Sequence, residues 1–191
     1  MEWTLRRIDD FSPTEAERTY RGLSASRKSR IDRLKNEDAR RCSLLGEYLV
    51  KELLNAKYGI ENAIIECAEN GRPFLQDSPL FISISHSHRL VACAIDDKPI
   101  GIDIEKRKPI HPKLIDRVCC PAEKEYVLNG SNPPSDEVAD EDILTRFYEI
   151  WTGKEAYFKA QGTGITDFQS VNLLTLERQV VPLGEYILQI V

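Results

Sequence analysis

The sequence lacks the features of a membrane, secreted or nucleic-acid-binding protein. Among its 191 residues, no apolar run approaches the ~20 residues that a transmembrane helix needs. The opening stretch MEWTLRRIDD contains no apolar signal-peptide segment. The formal net charge of −5 at pH 7 disfavours general binding to nucleic acid. We therefore expect a cytoplasmic protein with no membrane and no nucleic acid among its partners.

Cysteine pairs with metal-site spacing are also lacking. The five cysteines are odd in number, and no two of them form a C-x-x-C pair. We therefore expect free thiols in a reducing compartment, and neither a disulfide framework nor a structural zinc site. The five residues are Cys42, Cys67, Cys93, Cys119 and Cys120.

The overall composition, with 41% hydrophobic and 30% charged residues, is typical of a soluble globular protein. Apolar periodicity predicts a strand over residues 1–8, a helix over residues 38–57 that Gly59 ends, and a helix over residues 142–161 that Gly162 ends. Further strands are predicted at NAIIECA, FQSVNLLTL and EYILQIV. Because strands and helices do not alternate regularly, the predicted fold class is α+β.

Residues 79–105 predict three antiparallel strands, PLFISIS, LVACAI and IGIDIE, joined as a meander by the turns HSHR and DDKP. The first and third strands would run in the same direction, so His86 and Glu105 would lie at one end of the sheet, roughly 10 Å apart. His86 would occupy a turn between Ser85 and Ser87, where backbone N–H groups can hold phosphate oxygens. A surface turn histidine without a ligand is the alternative interpretation.

The stretch GIDIE places two carboxylates on one side of a predicted strand. Ile102 and Ile104 would face one side, and Asp103 and Glu105 the other, ~6.6 Å apart along the strand. Both carboxylates can then reach one hard cation such as Mg²⁺, which also accepts water and substrate phosphate oxygens as ligands. An edge strand with a solvated acidic face is the alternative.

The helix over residues 142–161 carries a carboxylate in its apolar stripe. Glu155 follows the spacing of that stripe, and burying an unpaired carboxylate costs free energy. Lys159, one turn further on, can pair with it, and a metal ion can serve as well. This face therefore either holds a structural Glu–Lys pair or looks into a charged site. The apolar members of the stripe are Leu144, Phe147, Trp151 and Phe158.

Basic residues are concentrated ahead of the first predicted helix. Residues 27–41 contain seven basic and three acidic side chains. They form either a solvated helix face with i,i+4 pairs or an anion site on an otherwise acidic protein. Residues 129–140, NGSNPPSDEVAD, predict an acidic loop. The basic segment, the histidine turn, the two-carboxylate strand and the charged helix together predict a divalent metal that holds a phosphate-rich ligand.

Five motifs, in order between residues 36 and 165, resemble those of the Sfp-type 4′-phosphopantetheinyl transferases. They are NEDARRCSLLGEYLV, NGRPFL, FISISHS, GIDIE and FYEIWTGKEAYFKAQGTGI. The last motif resembles the W-x-x-K-E-A signature of the family, followed by K-x-x-G-x-G. GIDIE alone is common, but GIDIE followed downstream by this signature is specific to the family.

The resemblance implies a fold of two pseudo-symmetric halves, each a small antiparallel sheet packed with helices. Residues 1–97 would form the half that contributes to coenzyme A binding, and residues 98–191 the half with the metal and catalytic residues. The active site would lie in the cleft between them. We also expect a monomer.

The resemblance also implies a reaction, that of a holo-acyl-carrier-protein synthase. The 4′-phosphopantetheine of coenzyme A would move to a serine of an apo carrier protein of the acyl, peptidyl or aryl type, and 3′,5′-ADP would leave. Mg²⁺ is the expected metal cofactor, and Mn²⁺ can replace it. Coenzyme A and the apo carrier protein are the expected substrates.

The resemblance extends to individual acidic and basic residues. Asp103, Glu105 and Glu155 match the three acidic metal ligands of the family. Lys159 matches the lysine that contacts the phosphates of the coenzyme. Glu155 and Lys159 are therefore the expected catalytic residues, with Glu155 also placed to accept the proton of the carrier serine.

Other matched residues are expected to bind the coenzyme. Ser85 and His86 match the phosphate-binding serine and histidine of the family. Arg72 stands in place of the lysine in the N-G-K-P motif and would pair with the 3′-phosphate as a fork. Arg27 and Arg30 are the basic residues expected to contribute from the segment before NEDA.

Two other functions can use the same residues. A metal-dependent phosphohydrolase needs no carrier protein and would release free phosphate or cleave coenzyme A in water. A non-catalytic protein would pair its charged helix internally and dock an acidic partner on the basic segment. The ordered motifs favour the transferase.

Overall fold

The structure of the protein is a computed structural model that describes residues 1–132, 135–165 and 167–191. Two prolines of the predicted acidic loop therefore lie outside the described residues. The helices are α1 (Pro13–Arg21), α2 (Ala25–Asp32), α3 (Glu37–Tyr58), α4 (Lys113–Val118), α5 (Pro121–Leu128) and α6 (Glu141–Gln161). The strands are β1 (Glu2–Arg7), β2 (Ile65–Cys67), β3 (Pro73–Leu75), β4 (Phe81–Ser87), β5 (Leu90–Asp96), β6 (Ile102–Lys106), β7 (Gln179–Leu183) and β8 (Tyr186–Ile190).

Small antiparallel sheets form the frame of the described chain. One three-stranded sheet has the order β1-β5-β4, and another has the order β6-β8-β7. The short strands β2 and β3 form a separate two-stranded ladder. Helices α3 and α6 contact one sheet each, α3 mainly through β5 and α6 through β6 and β8. The predicted α+β class is therefore confirmed.

The predicted meander is wrong in its third strand. β4 and β5 form the predicted hairpin, but β6 leaves their sheet and pairs with β8, where Asp103 lies opposite Gln189. The physical reason is that β1 occupies the second edge of β5. Because a strand has only two edges, no ladder position on β5 remains for β6. The spacing of roughly 10 Å predicted between His86 and Glu105 depended on that meander. It therefore does not follow for a β6 that lies in another sheet.

The predicted strand FQSVNLLTL is also wrong. These residues form two 3₁₀ turns, at Phe168–Ser170 and Leu173–Thr175. The side chains of Asp167 and Asn172 each accept a hydrogen bond from the backbone N–H two residues further on. Such local bonds satisfy the backbone without a strand partner. Strand β8 confirms the last predicted strand, whereas β7 was not predicted.

The two predicted long helices are confirmed as α3 and α6, and capping residues set their ends. The side chains of Asn36 and Asp140 accept hydrogen bonds from the first backbone N–H groups of α3 and α6. Each helix stops at a left-handed glycine, Gly59 with φ of 67° and Gly162 with φ of 71°. None of the helices in the described part of the chain combines the length and the hydrophobicity needed to cross a membrane.

Strand β5 separates two apolar layers. Val91, Cys93 and Ile95 pack into the core beneath α3. Ala92 and Ala94, on the opposite face, pack with the isoleucines of β6 and β8. Because alanine is small, it lets β6 approach this hairpin closely. The acidic residues of β6 are thereby brought beside the serines of β4.

Candidate active site

Serine side chains of β4 join the two three-stranded sheets. The three serines are buried, and each hydroxyl oxygen accepts a hydrogen bond from one backbone N–H of β6. The pairs are Ser83 with Ile102 at 3.0 Å, Ser85 with Ile104 at 3.4 Å and Ser87 with Lys106 at 3.0 Å. The alternating serines in FISISHS therefore replace a backbone ladder between β4 and β6.

Two of these hydroxyls also hold acidic side chains of β6. Ser85 Oγ donates to Asp103 Oδ1 at 2.7 Å, and Ser87 Oγ donates to Glu105 Oε2 at 2.8 Å. A serine hydroxyl has one proton to donate and can accept hydrogen bonds at its oxygen as well. Asp103 and Glu105 thus point to the same side of β6, as the alternation in GIDIE predicts.

Lys159 of α6 reaches across to the same carboxylate. Its Nζ donates to Asp103 Oδ1 at 2.7 Å and to the carbonyl oxygen of Ile102 at 3.2 Å. A structural ion pair between Lys159 and Glu155 was one of the two alternatives for this face of α6. The described residues do not form that pair, because Lys159 pairs with Asp103. The lysine side chain keeps 31% of its exposure, so its ammonium can also meet a ligand.

Glu155 lies half-buried on α6 within the field of these charges. Burial raises the pKa of the Glu155 carboxyl to about 7, with the Asp103 carboxylate adding to the rise and the Lys159 ammonium opposing it. Burial and Asp103 likewise raise the pKa of Glu105, against the hydrogen bond from Ser87. A carboxyl that titrates near pH 7 can accept a proton from a substrate at physiological pH.

The chemistry of these side chains suits a hard divalent cation. Carboxylate oxygens are ligands that Mg²⁺ prefers, and Asp103 Oδ2 is buried without a hydrogen-bond partner among the described residues. A cation would also relieve the repulsion from Asp103 that adds to burial in raising the pKa of Glu105 and Glu155. Nevertheless, in the described parts of the chain, no three His, Cys, Asp or Glu side chains are gathered closely enough to hold a metal ion. The donor types fit, whereas the three carboxylates do not surround one point.

A cavity of about 330 Å³ opens beside Glu155 and Lys159. The described residues that line it do not include Asp103, Glu105, Ser85 or His86. Its charged lining comes from Arg72, Glu155 and Lys159. Its apolar lining comes from Ile82, Ile84, Phe158 and Ile165. A site with both kinds of lining suits a ligand that carries charged groups on an apolar or neutral chain.

The NGRP turn is attached to the end of α6 at the edge of this cavity. Asn70 Nδ2 donates to the carbonyl oxygen of Gly162 at 3.1 Å. The Arg72 guanidinium lies against Gly162, because a Cβ added there would stand 2.1 Å from Arg72 Nη1. Gly71 meets Arg30 in the same way, with 2.5 Å between an added Cβ and Arg30 Nη1. The structure therefore holds two predicted basic residues, Arg30 and Arg72, beside one turn.

His86 lies on strand β4, and its predicted position in a turn is wrong. The β4–β5 ladder continues through Ser87, so the turn is formed by His88 and Arg89, and His88 has φ of 53°. Desolvation by the surrounding protein and the nearby Lys159 ammonium lower the pKa of His86, although part of the ring is exposed. The imidazole thus lies near Lys159 on the exposed side of the strand.

Arg27 is not brought to the cavity. Its Nε donates to Glu47 Oε2 at 3.0 Å, and its Nη1 donates to Cys67 Sγ at 3.4 Å. Arg27 and Glu47 are both buried, and Lys51 adds a second ion pair to Glu47 at 3.2 Å. The predicted contact between Arg27 and the coenzyme stays a prediction.

Sequence reasoning missed a second charged pair on α6. The side chains of Lys154 and Glu123 have 0% exposure and form an ion pair. Lys154 Nζ also donates to the carbonyl oxygens of Val118 at 2.9 Å and Phe168 at 2.6 Å, and Glu123 Oε1 accepts from the N–H of Leu173 at 2.7 Å. Adjacent helical residues project in different directions. The lysine of W-x-x-K-E-A therefore enters the core, whereas the glutamate beside it faces the cavity.

Comparison with known proteins identifies the family of this chain. A family model described as the 4′-phosphopantetheinyl transferase superfamily matches residues 99–186. The 4′-phosphopantetheinyl transferase Sfp of Bacillus subtilis (strain 168) is 33% identical over 160 residues, which cover 82% of this chain and 67% of that protein. The 4′-phosphopantetheinyl transferase ffp of Bacillus subtilis is 32% identical over 182 residues, which cover 92% of this chain and 78% of that protein. The 4′-phosphopantetheinyl transferase HetI of Nostoc sp. is 31% identical over 160 residues, 79% of this chain and 64% of that protein. The chain therefore belongs to the Sfp-type 4′-phosphopantetheinyl transferase family of enzymes.

Proposed function

We propose that this enzyme transfers the 4′-phosphopantetheine of coenzyme A to a serine of an apo carrier protein, with release of 3′,5′-ADP. The observation that carries the proposal is the meeting of opposite charges at one cavity. Arg72 and Lys159 supply fixed positive charge there, and Glu155 supplies a half-buried carboxyl to the same cavity. Phosphoryl transfer needs cationic groups on the phosphates and an acceptor for the proton of the nucleophile.

Coenzyme A would be anchored by the basic groups that border the cavity. The Arg72 guanidinium is suited to the 3′-phosphate, because its planar fork can donate two parallel hydrogen bonds to one phosphate. Arg30, on the other side of the NGRP turn, can support the same group. Lys159 bonds Asp103, so we assign it to the pyrophosphate, and we assign His86 with Arg72 to the far end of the coenzyme. These contacts position the coenzyme for in-line attack.

Asp103, Glu105 and Glu155 are the residues that would hold Mg²⁺ or Mn²⁺. When bound, the cation would supply positive charge that stabilises the pyrophosphate during transfer. The support for this assignment is the unpartnered Oδ2 of Asp103 and the hard oxygen chemistry of the three side chains.

The bonds exchanged in the proposed reaction balance without a further reactant. The carrier serine oxygen attacks the β-phosphorus of coenzyme A, and a new P–O bond forms as the bond from that phosphorus to the bridging oxygen breaks. The leaving 3′,5′-ADP takes the bonding electron pair. Glu155 accepts the serine proton, directly or through a water molecule. Lys159 stabilises the negative charge that grows on the leaving phosphate.

The proposal includes the setting of the reaction. The site would lie between a half formed by residues 1–97 and a half formed by residues 98–191. The family supports a carrier protein as the acceptor, and we propose a carrier of the acyl, peptidyl or aryl type. We further propose that the enzyme acts as a monomer in the cytoplasm.

Intact-mass spectrometry tests the proposed reaction. Apo acyl, peptidyl and aryl carriers are incubated with the enzyme, coenzyme A and Mg²⁺, with and without EDTA. We expect at least one carrier to gain the mass of one phosphopantetheine, and EDTA to prevent the gain. Hydrolysis of coenzyme A without any carrier gain would identify a phosphohydrolase instead. Unmodified carriers together with no calorimetric binding of coenzyme A would contradict the proposal.

A further inference from the structure

The NGRP turn, residues 70–73, forms one wall of the cavity. Its backbone is bonded internally: the N–H of Gly71 donates to the carbonyl oxygen of Ala68 at 2.8 Å, and the N–H of Ala68 donates to that of Arg72 at 2.9 Å. The β2–β3 hairpin that carries the turn packs against α2 and β4 but forms a ladder of its own, apart from both three-stranded sheets. A two-stranded hairpin is marginally stable at best when isolated. The position of the turn over the cavity therefore depends on side-chain contacts.

Asn70 joins this wall of the cavity to a second one. The second wall is the C-terminal part of α6, which lines the cavity through Glu155, Phe158, Lys159 and Gly162. Asn70 Nδ2 donates to the carbonyl oxygen of Gly162 at 3.1 Å. Within the described ranges of the chain, this is the one hydrogen bond that links the turn to α6. A single amide thus bridges the two walls.

The oxygen of the same amide holds Arg72. Asn70 Oδ1 accepts a hydrogen bond from the N–H of Arg72 at 3.0 Å, the local bond by which asparagine stabilises turns. The Arg72 guanidinium in turn lies against Gly162, where an added Cβ would stand 2.1 Å from Nη1. Because Asn70 is exposed, water could satisfy its amide, and neither bond is required by burial. What the two bonds do achieve is to tie Arg72 to the end of α6.

We propose that Asn70 is a positioning residue, which fixes the NGRP turn to the end of α6 and so holds the Arg72 guanidinium beside the cavity for a phosphate of the coenzyme. The inference rests on the proposed function, because it takes Arg72 as a binding group for coenzyme A. A guanidinium that is already in place loses less conformational freedom when the phosphate binds. Loss of the bond to Gly162 would release the turn and weaken coenzyme binding, whereas the groups that carry out the transfer would keep their positions.

The test uses variants that separate the two bonds of Asn70. Asn70→Ala removes both. Asn70→Ser keeps a local acceptor for the N–H of Arg72, but its hydroxyl is too short to reach Gly162. Asn172→Ala is the matched control, because Asn172 Oδ1 accepts the same kind of local bond, from the N–H of Leu174 at 3.1 Å, and does not line the cavity.

Three quantities are measured for each variant. Calorimetry in EDTA gives the Kd of coenzyme A without any contribution from a metal ion. Transfer to an apo carrier protein that the wild type modifies, at saturating coenzyme A with Mg²⁺, gives kcat. The melting temperature shows that each variant is folded.

We expect Asn70→Ala and Asn70→Ser to raise the Kd of coenzyme A by about 3- to 10-fold, the effect of one hydrogen bond, with kcat within about 2-fold of the wild-type value. Asn172→Ala should leave the Kd within about 2-fold of the wild-type value, because its local bond holds no wall of the cavity. In an Arg72→Ala background, Asn70→Ser should change the Kd by less than about 2-fold, because the group that Asn70 positions is gone.

Three results would overturn the inference. A wild-type Kd in Asn70→Ser would mean that the bond to Gly162 does not matter for the coenzyme. An equal rise in Asn172→Ala would mean that the Kd follows general stability. A rise in Asn70→Ser that persists in full without the Arg72 side chain would mean that Asn70 contacts the coenzyme itself. Wild-type protein that binds no coenzyme A would instead contradict the proposed function, and this outcome is seen before any variant is compared.

Discussion

Among individual residues, the two lysines of α6 differ in the solvent exposure of their side chains. Lys154 has 0% side-chain exposure, and its ammonium donates to Glu123 and to two backbone carbonyls. Lys159 keeps 31% and bonds Asp103 and one carbonyl. A fully enclosed ammonium cannot exchange its partners without unfolding the region around it, whereas a partly exposed one can accept a ligand. Lys154 therefore stabilises the fold, whereas Lys159 belongs to the candidate site.

Replacing Lys154 with Met tests the structural role of the buried pair. The change leaves the Glu123 carboxylate uncompensated in the core, so we expect a loss of about 3–5 kcal/mol in the free energy of unfolding. The double variant Lys154→Met/Glu123→Gln should lose less than the single one, because no buried charge remains. Urea unfolding measures both variants. A double variant less stable than Lys154→Met would show that the charge on Glu123 is not the cause.

Replacing Arg72 with Ala tests its role in binding the coenzyme. Loss of a charge-assisted fork to phosphate costs about 1.5–3 kcal/mol, which corresponds to a rise of roughly 10- to 100-fold in KM for coenzyme A. We expect kcat to change much less, and Arg72→Lys to recover part of the affinity. Steady-state kinetics of the transfer measure both constants, with the exposed Arg21→Ala as control. A fall in kcat alone would exclude a binding role for Arg72.

At the level of secondary-structure elements, α1 shows how local sequence fixes a boundary. Ser12 and Glu15 form a reciprocal capping box at its first turn, and Arg6 pairs with Glu15 at 3.1 Å. The hydrogen bonds from Ser12, aided by Arg6, hold the pKa of Glu15 at about 2, below the ordinary value of 4.5. The carboxylate thus stabilises the folded state when it is ionised.

The sign of this pKa shift gives a prediction for pH dependence. Because the folded pKa lies below the unfolded one, the contribution of Glu15 is complete above pH 4.5 and is lost as the pH falls toward 2. Glu15→Gln should therefore lower the free energy of unfolding by about 1 kcal/mol at pH 7, and by less than half as much at pH 3. Urea unfolding at both pH values measures the difference in free energy of unfolding between the wild type and Glu15→Gln, with Glu17→Gln as control. An equal gap at both pH values would contradict the assignment.

The elements that sequence periodicity predicted well are those whose caps and apolar stripes are local. Helices α3 and α6 fall within about one residue of their predicted ends, because Asn36, Gly59, Asp140 and Gly162 act on neighbouring backbone groups. The third strand of the meander failed for a non-local reason. Strand β1, more than eighty positions earlier in the chain, takes the edge of β5, for instance at Trp3 opposite Ala94. Turn chemistry at DDKP carries no information about that competition.

For the whole molecule, the site depends on contacts that bring distant segments together. The serine side chains of β4 join this strand to β6, and the NGRP turn is attached to the end of α6 through Asn70 and Gly162. Sequence patterns identified the acidic and basic residues, yet they could not show which of them share a cavity. Arg27 and Arg30 lie on one short helix and look equivalent in sequence, but one is buried against Glu47 and the other lies against the turn.

Ligand binding at this cavity should stabilise the whole fold. A ligand at about 100 times its dissociation constant adds about 2.7 kcal/mol, which raises the melting temperature of a chain of this size by roughly 5–10 °C. We expect this rise with coenzyme A and Mg²⁺ together, and a smaller one with coenzyme A and EDTA. Differential scanning fluorimetry measures both. An identical rise in Mg²⁺ and in EDTA would contradict a metal-assisted site.

The central claim is that transfer takes place at the carboxylate of α6 that faces the cavity. Single-turnover transfer to an apo carrier protein, followed by intact mass, tests it most directly with two glutamate variants of one helix. Glu155→Gln removes the proposed proton acceptor, and we expect the rate to fall by at least about 100-fold. Glu149→Gln is the matched control, because Glu149 accepts a hydrogen bond from Tyr126 at 2.6 Å and takes no part in the proposed reaction. We expect its rate within about 3-fold of the wild-type rate, a difference of less than about 0.7 kcal/mol in the barrier. A Glu155→Gln enzyme that transfers phosphopantetheine as fast as Glu149→Gln would contradict the account.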